Sequence, residues 1–196
     1  KNNNIKLKLK IIDDNSKEEN LIKIKKIIEN SNVNIEIIKH KNEEHKNVIK
    51  KQATEETFAN LSSLLKCFEI GKNEGKDSVF FVEDDYLHFE SALDEIISSY
   101  ERISSQTNKE LFVCPTDYPY LYMDNKKTNL LIGSKRHWRT VSKTLCTFFV
   151  SHNLIIKYWE NFYNNSKKRK PYPPKKVELF NRLICHTNNF FVIAAI

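Results

Sequence analysis

The segment SVFFVEDD, residues 78–85, joins a short run of apolar residues to three consecutive carboxylates. A wholly apolar run of this length is typical of a strand in a parallel sheet that is covered on both faces. Glu83, Asp84 and Asp85 follow at the point where this strand is expected to end. Neighbouring carboxylates repel one another, and burying them without a partner costs free energy. A divalent cation would neutralise these charges, so the segment predicts a metal site at the end of a buried strand.

The chain on either side of this segment alternates between strand and helix patterns. Strands are predicted at 5–12, 33–38, 78–82 and 110–115, and helical periodicity covers 21–28, 58–68 and 93–103. Strands with a turn at Gly133 are predicted in 128–151, followed by a helix over 153–163 and a last strand at 189–196. This order predicts an α/β protein of three layers, α/β/α, with a Rossmann-like and mostly parallel central sheet.

A second acidic cluster supports a site at one edge of that sheet. Asp13 and Asp14 follow the first predicted strand, as the acidic triplet 83–85 follows the third. Ligands of such sheets bind beyond the carboxyl ends of the strands, so we expect the two clusters to meet there. Ser16 and Glu19 have the spacing of a capping box, which predicts Ser16 as the N-cap of the first helix.

Composition limits the classes of protein to which this chain can belong. Its 196 residues suffice for one domain with a core, and its three glycines form neither a G-x-G-x-x-G loop nor a P-loop. Its four cysteines include no C-x-x-C pair, so buried free thiols in a reducing compartment are expected rather than a zinc or redox motif. No apolar run approaches the roughly 20 residues of a membrane span. No signal peptide is recognisable either, which predicts a cytoplasmic protein.

The basic residues of the chain have two explanations. The formal net charge of +7 favours anionic partners such as nucleotides, phosphates, nucleic acids or acidic lipids, but a biased genome that enriches lysine, asparagine and isoleucine explains it more simply. Arg136, His137 and Arg139 lie in a polar segment between predicted strands. An arginine fork suits the oxygens of a diphosphate, while a solvated basic hairpin accounts for the same residues equally well. His137 is also a candidate contact for a metal ion or an acceptor.

The chemistry expected of the acidic triplet is that of a hard cation. Mn²⁺ and Mg²⁺ prefer oxygen ligands, and Mg²⁺ commonly takes one or two carboxylates together with substrate phosphates. An acid–base pair that works without metal, and a solvated turn, are the alternatives that the same residues leave open.

Several short motifs, taken in chain order, resemble those of GT-A glycosyltransferases. The chain is similar to the family 2 inverting enzymes and their relatives, which build bacterial surface glycans from nucleotide sugars. The matching segments are IIDDNS at 11–16, FANLSSLL at 58–65, VFFVEDDYL at 79–87 and SKRHWRTVSKTLCTFFVS at 134–151. The first resembles a DD-x-S element that contacts the nucleotide base, and the third resembles an E-D-D form of the D-x-D metal motif. The last is similar to an HWRT…S-x-T-x-TF stretch of a bacterial subgroup.

The resemblance implies both a domain and a set of site residues. It implies a single GT-A-like domain over 1–196 that lacks its first strand and helix and its C-terminal tail. The implied metal ligands are Asp85 and Glu83. The implied contacts to the nucleotide sugar are Asp13, Asp14, Asn60 and Asp84.

Two carboxylates compete as the catalytic base. Family 2 enzymes carry this base in a helix start similar to E-D-x-E-L-x-x-R-L, where this chain has KKVELFNRL at 175–183. Lysines replace the acids of that motif, which leaves Glu178 as its remaining carboxylate. Asp117 is the alternative, because it follows a predicted strand and precedes an aromatic cluster, YPY at 118–120, that suits stacking on a sugar.

The sequence therefore predicts a metal-dependent glycosyltransferase that uses Mn²⁺ or Mg²⁺. Its donor would be a UDP- or GDP-sugar, and its acceptor a glycan, a lipid-linked glycan or another hydroxyl, in surface polysaccharide biosynthesis. Nucleic acid is not expected as a partner, and KKRK at 167–170 fits a solvated loop better than a contact with the membrane surface. The alternatives are a non-catalytic module that binds glycans or nucleic acids on a degenerate scaffold, and a nucleotidyltransferase, which normally has a glycine-rich nucleotide loop.

Overall fold

The computed structural model describes residues 5–49, 54–116, 127–141 and 147–166, and the backbone of residues 191–195. The chain divides into two compact units, Lys1–Cys67 and Phe68–Ile196. Helix α2, Glu55–Glu74, runs through the boundary between them.

Unit 1 contains a short parallel strand pair with its connecting helix. Its elements in chain order are β1 (Lys8–Asp13), α1 (Glu18–Glu29), β2 (Asn34–Lys39), a 3₁₀ turn (Asn42–His45) and the first part of α2. β1 pairs with β2 in parallel, from Lys8 opposite Asn34 to Asp13 opposite Lys39. Its buried apolar side chains are Leu21, Ile49, Leu61 and Leu65. The first predicted strand–helix–strand segment is therefore present in the structure.

Helix α1 does not begin with the predicted capping box. Its N-cap is Lys17, which makes no side-chain capping hydrogen bond. The amide of Ser16 instead donates to Oδ1 of Asp13 at 3.1 Å, and Asn15 between them has a left-handed φ of 61°. An aspartate that closes the turn onto a following amide competes with helix capping, and here it delays the start of the helix to Glu18.

Unit 2 is built on a mixed sheet. Its elements are β3 (Ser78–Phe81), α3 (Ala92–Thr107), β4 (Leu111–Cys114), β5 (Leu130–Ile132), β6 (His137–Val141), β7 (Phe148–Ser151), α4 (His152–Lys157), α5 (Trp159–Ser166) and β8 (Phe191–Ala195). Across the described residues the strand order is β3-β7-β4-β8-β6-β5. β4 and β8 are parallel, and the other neighbouring pairs in this order are antiparallel.

The prediction of a mostly parallel central sheet is wrong. β7 inserts antiparallel between β3 and β4, and β1 and β2 form a separate sheet within the described residues. The prediction took successive strand–helix–strand units as neighbours in one parallel sheet. An apolar run such as FFVS at 148–151 carries no information about strand direction, because a strand buried on both faces has the same pattern in either orientation. The two acidic clusters consequently follow strands of different sheets.

The apolar runs are explained by a sheet that is buried on both faces. Phe148 and Phe149 are consecutive and buried, and they point to opposite faces of the sheet. Phe149 belongs to a cluster with Ile96, Ile103, Leu111, Val113 and Trp138. Phe148 packs against the rings of Phe68, Phe81, Phe112 and Phe162, with centroid distances of 5.1–6.4 Å. Among the described residues, none of the helices is both long enough and apolar enough to cross a membrane.

Candidate functional site

One edge of the unit 2 sheet carries both the acidic triplet and basic residues. β3 and β4 are each antiparallel to β7, so they run in the same direction, and β8 runs parallel to β4. The carboxyl ends of these strands therefore lie at one edge, which we call the carboxyl edge. β6 is antiparallel to β8, with Trp138 opposite Ala195, so the amino end of β6 lies there too. Glu83–Asp85 follow β3 and Lys135–Arg136 precede β6 at this same edge.

The segment 82–91 joins the acidic triplet to these basic residues. Neighbouring strands are about 4.8 Å apart, so the four spacings from β3 to β6 amount to about 19 Å. A ten-residue segment can extend over about 33 Å, which is enough to cross this distance. The guanidinium carbon of Arg136 lies 5.2 Å from the centroid of the Phe89 ring. Phe89 is four residues after Asp85, so the Cα atoms of these two residues are separated by at most about 14 Å.

The three carboxylates of the triplet have different environments. The Glu83 amide donates to Oγ1 of Thr147 at 3.0 Å, and that hydroxyl lies 3.4 Å from Oε2 of Glu83, to which it donates. Thr147 is buried and Glu83 is half-buried, whereas Asp84 and Asp85 are exposed. Exposed carboxylates are solvated by water, so their mutual repulsion does not by itself require a cation. Asp84 and Asp85 are nevertheless accessible to a ligand, and Thr147 fixes the backbone that carries them.

The carboxylates of the triplet suit a metal ion whose remaining ligands come from a substrate. Among the described residues, no group of three or more His, Cys, Asp or Glu side chains converges as a metal site. Mg²⁺ and Mn²⁺ prefer hard oxygen ligands, and Mg²⁺ commonly keeps waters and takes only one or two carboxylates plus phosphate oxygens. Asp84 and Asp85 fit that chemistry, and a closed cage made of protein ligands alone does not fit it.

The predicted diphosphate residues are divided between the edge and the interior of the sheet. Lys135 and Arg136 are exposed in the turn between β5 and β6, residues 133–136, which we call the basic turn, and His137 is exposed at the start of β6. Arg139 is buried, 8% exposed, and lies within β6 opposite Leu130. Arg136 and His137 can therefore contact a ligand at the carboxyl edge, while Arg139 belongs to the body of the sheet.

A buried carboxylate that the sequence analysis did not single out holds the basic turn. Glu95 of α3 is 5% exposed and accepts hydrogen bonds from Ser99 Oγ at 2.8 Å and from Trp138 Nε1 at 3.1 Å. Its oxygens also accept the amides of Lys135 at 2.7 Å and Arg136 at 3.2 Å. Burial by itself raises the pKa of Glu95, but these hydrogen bonds outweigh it, so the pKa lies below its ordinary value. The signals in the sequence were the i, i+4 pair Glu95–Ser99 beside apolar helix positions, and Trp138, whose indole N–H needs a partner when it is buried.

The predicted nucleotide contacts of unit 1 also differ from one another. Asp13 is buried, and its carboxylate accepts the Ser16 amide, so it stabilises the turn after β1. Asp14, next to it, is exposed, and Asn60 is exposed on α2. Within unit 1, Asp14 is therefore the carboxylate of the pair that a ligand can reach.

Unit 1 also contains a buried polar network that the sequence analysis missed. Oγ of Ser62 lies 2.8 Å from Nε2 of His40 and 2.8 Å from Nδ1 of His45, and the hydroxyl is 3.4 Å from the carbonyl oxygen of Asn42. All three side chains are buried, and Nδ1 of His40 has no hydrogen-bond partner among the described residues. Burial and the nearby His45 imidazole lower the pKa of His40. The charged groups that also face His40 are Glu44, Asp14 and Lys66.

Three sequence predictions fall outside the described residues. These are the two candidate bases, Asp117 and Glu178, and the basic run at 167–170. Thr116, the last described residue after β4, lies at the carboxyl edge, next in sequence to Asp117. The identity of the base therefore stays a prediction from the sequence.

Comparison with known proteins adds no assignment. No protein-family model matches the chain, and no curated protein matches it significantly. The resemblance to family 2 glycosyltransferases consequently stays a prediction based on short motifs, and the function must be argued from residues and their geometry.

Proposed function

We propose that this protein is a metal-dependent glycosyltransferase that takes its sugar from a nucleoside-diphosphate sugar. The observation that supports the proposal is the carboxyl edge of unit 2. There, the exposed Asp84 and Asp85 lie in the same segment as Phe89, whose ring Arg136 contacts. Carboxylates recognise a hard divalent cation, and an arginine fork recognises phosphate oxygens. A diphosphate with its metal ion is a ligand that needs both kinds of group within a short distance.

Each group at the edge then has a role. Asp85, supported by Asp84, would hold Mn²⁺ or Mg²⁺, which when bound supplies positive charge to the departing diphosphate. Arg136 donates hydrogen bonds to phosphate oxygens as negative charge develops on the leaving group. Thr147 holds Glu83 and so keeps the triplet at the end of β3. Because Thr147 holds the backbone of Glu83 and Glu95 holds that of Arg136 before substrate binds, we expect little backbone reorganisation during the reaction.

The transfer itself is a displacement at the anomeric carbon of the donor sugar. The acceptor oxygen forms the new bond to that carbon, and the bond from the carbon to the diphosphate oxygen breaks. A carboxylate takes the proton of the acceptor hydroxyl, and Asp117 and Glu178 are the proposed candidates. Inversion of stereochemistry follows from the resemblance. We extend the proposal to UDP- or GDP-sugar donors, to glycan or lipid-linked acceptors of surface polysaccharide biosynthesis, and to a cytoplasmic location.

Calorimetric titration with UDP-, GDP- and CDP-sugars, with and without Mn²⁺, tests this proposal. We expect one class of nucleotide to bind with metal and not without it, and Asp85→Ala and Arg136→Ala each to weaken that binding. Glu90→Ala is the matched control, since Glu90 is an exposed carboxylate in the same segment and has no role in the proposed site. The proposal fails if no nucleotide binds, or if binding ignores the metal and survives Asp85→Ala.

A non-catalytic binding module is the second candidate. The observation that favours it is the exposure of Asp84 and Asp85, because solvated carboxylates need no metal, and the net charge of +7 suits an anionic partner. Tight, salt-sensitive binding of oligonucleotides or acidic glycans without nucleotide-sugar binding would support it instead.

A further inference from the structure

The turn between β5 and β6 is tied to helix α3 at each of its residues. The hydrogen bonds join Gly133 O to Arg102 Nη1 at 3.3 Å, Ser134 N to Ser99 Oγ at 3.1 Å, and the amides of Lys135 and Arg136 to Glu95 at 2.7 and 3.2 Å. A Cβ at Gly133 would collide with Trp138 Nε1 and Ser99 Oγ, so the turn also lies in close contact with the helix and with β6. The position of the basic turn is thus set by α3.

These contacts exceed what the hairpin needs for its own closure. The amide of Gly133 already donates to the carbonyl oxygen of Arg136 at 2.9 Å, which closes the turn locally. A carboxylate from another element is costly to bury, and it is retained only where strong donors surround it. The additional bonds from α3 fix the turn relative to the helix and to the segment 82–91 that leads into it.

The charge of Glu95 has a second consequence. Lys135 and Arg136 are consecutive cations with exposed side chains, so water screens their mutual repulsion and it costs little. The ionised carboxylate of Glu95 accepts hydrogen bonds from both of their backbone amides and so holds the two residues at the turn. With its backbone held there, Arg136 places its guanidinium against Phe89 in the segment that carries the acidic triplet.

We propose that Glu95 is a positioning residue that holds Lys135 and Arg136 where they bind the diphosphate of the substrate. This inference rests on the proposed function. A carboxylate that only stabilised the hairpin would affect the stability of unit 2 and leave the affinity of the folded protein for a diphosphate unchanged. A positioning residue changes that affinity while the fold persists.

Inorganic pyrophosphate with Mg²⁺ is the probe, titrated calorimetrically into the full chain and its variants. Glu95→Gln keeps the size of the side chain but replaces one accepting oxygen by an NH₂ group. That NH₂ group then faces an amide N–H, which is also a donor, so the hydrogen bond at that position is lost. We expect pyrophosphate to bind this variant about tenfold more weakly, as expected for the loss of one charge-assisted hydrogen bond at the binding turn. The far-UV circular dichroism spectrum and the melting temperature report separately whether the fold persists.

Glu110→Gln is the matched control. Glu110 precedes β4, at the opposite edge of the sheet, and its Oε1 accepts the Ser151 hydroxyl at 2.7 Å. This variant should bind pyrophosphate as the wild type does. Ser99→Ala keeps the Glu95 charge and removes both the hydrogen bond that Ser99 donates to Glu95 and the one that it accepts from the Ser134 amide. It should weaken binding about threefold, because Glu95 keeps its bonds to the amides of Lys135 and Arg136.

The outcomes separate this inference from the proposed function. Wild-type affinity in Glu95→Gln, with a lowered melting temperature, overturns the positioning role and leaves the proposed function standing. Absence of pyrophosphate binding by the wild type in Mg²⁺ overturns both. If Glu95→Gln does not fold, Ser99→Ala decides the question, and wild-type affinity in that variant overturns the inference.

Discussion

Replacement of Ser62 by alanine should destabilise unit 1 by breaking its buried histidine network. In the wild type, Oγ of Ser62 bonds Nε2 of His40 and Nδ1 of His45, each at 2.8 Å. Alanine differs from serine by one oxygen, so the change leaves almost no cavity. The substitution therefore isolates the hydrogen bonds of this network from the packing around them.

The expected size of the effect follows from the two nitrogens that lose their partner. A buried polar atom left unsatisfied costs about 1–3 kcal/mol. Two nitrogens lose a partner here and can relax together, so we expect a loss of about 2–4 kcal/mol in the free energy of unfolding. The hydroxyl is also within 3.4 Å of the Asn42 carbonyl oxygen, a contact too long to add much. Without the Ser62 hydroxyl, the two imidazoles cannot easily hydrogen-bond to each other instead, because their ring centroids are 5.4 Å apart and the rings are tilted.

Urea denaturation followed by far-UV circular dichroism measures this loss. Ser63→Ala is the matched control, because Ser63 is the next residue of α2 and its buried hydroxyl has no partner among the described residues. Alanine there should be neutral or slightly stabilising. If Ser62→Ala lies within about 0.5 kcal/mol of Ser63→Ala, the network contributes nothing measurable and the reasoning is refuted.

Two further predictions concern pH and the basic turn. Burial and His45 lower the pKa of His40 below its ordinary value of 6.5, so the unfolded chain binds this proton more tightly than the folded chain does. The free energy of unfolding should therefore fall as the pH is lowered below about 6.5, by at most about 1.4 kcal/mol per pH unit. Urea midpoints between pH 7.5 and 5 measure this slope, which His40→Gln should reduce; an equal slope in that variant would contradict the assignment. Gly133→Ala should lower the melting temperature, because its Cβ collides with Trp138 Nε1 and Ser99 Oγ, at a cost of about 1–3 kcal/mol. An unchanged melting temperature would show that the turn can move away from α3.

Local elements of the fold could be predicted from the sequence, whereas strand neighbours could not. The predicted strand at 78–82 corresponds to β3, and the predicted helix at 93–103 lies within α3, Ala92–Thr107. Apolar periodicity indicates which residues are buried, so it locates strands and helices that have a buried face, as these two do. Strand direction depends on connections made far along the chain. Phe148 pairs with Phe81 in the antiparallel sense, and neither apolar run by itself specifies that direction.

The same division applies to the candidate site. Residue type suggested Glu83, Asp85 and Arg136 as candidates, because metal and phosphate chemistry requires carboxylates and guanidinium groups. Glu95 was not recognisable as part of the site, since its partners include backbone amides about 40 residues away, and amides carry no signal in a sequence. A prediction from residue types finds the groups that can touch a ligand and misses those that hold them in place.

The structure also changes the reason for expecting a ligand at the acidic triplet. The sequence suggested that repulsion among buried carboxylates demands a cation, but Asp84 and Asp85 are solvated and can repel one another at little cost. The stronger reason lies at the other end of the same segment. Glu95 is a buried charge, and its hydrogen bonds hold a turn whose exposed side chains are cationic and whose Arg136 lies against the segment of the triplet. The proposed diphosphate site needs both signs of charge held in place, and the hydrogen bonds of Glu95 hold the cationic turn.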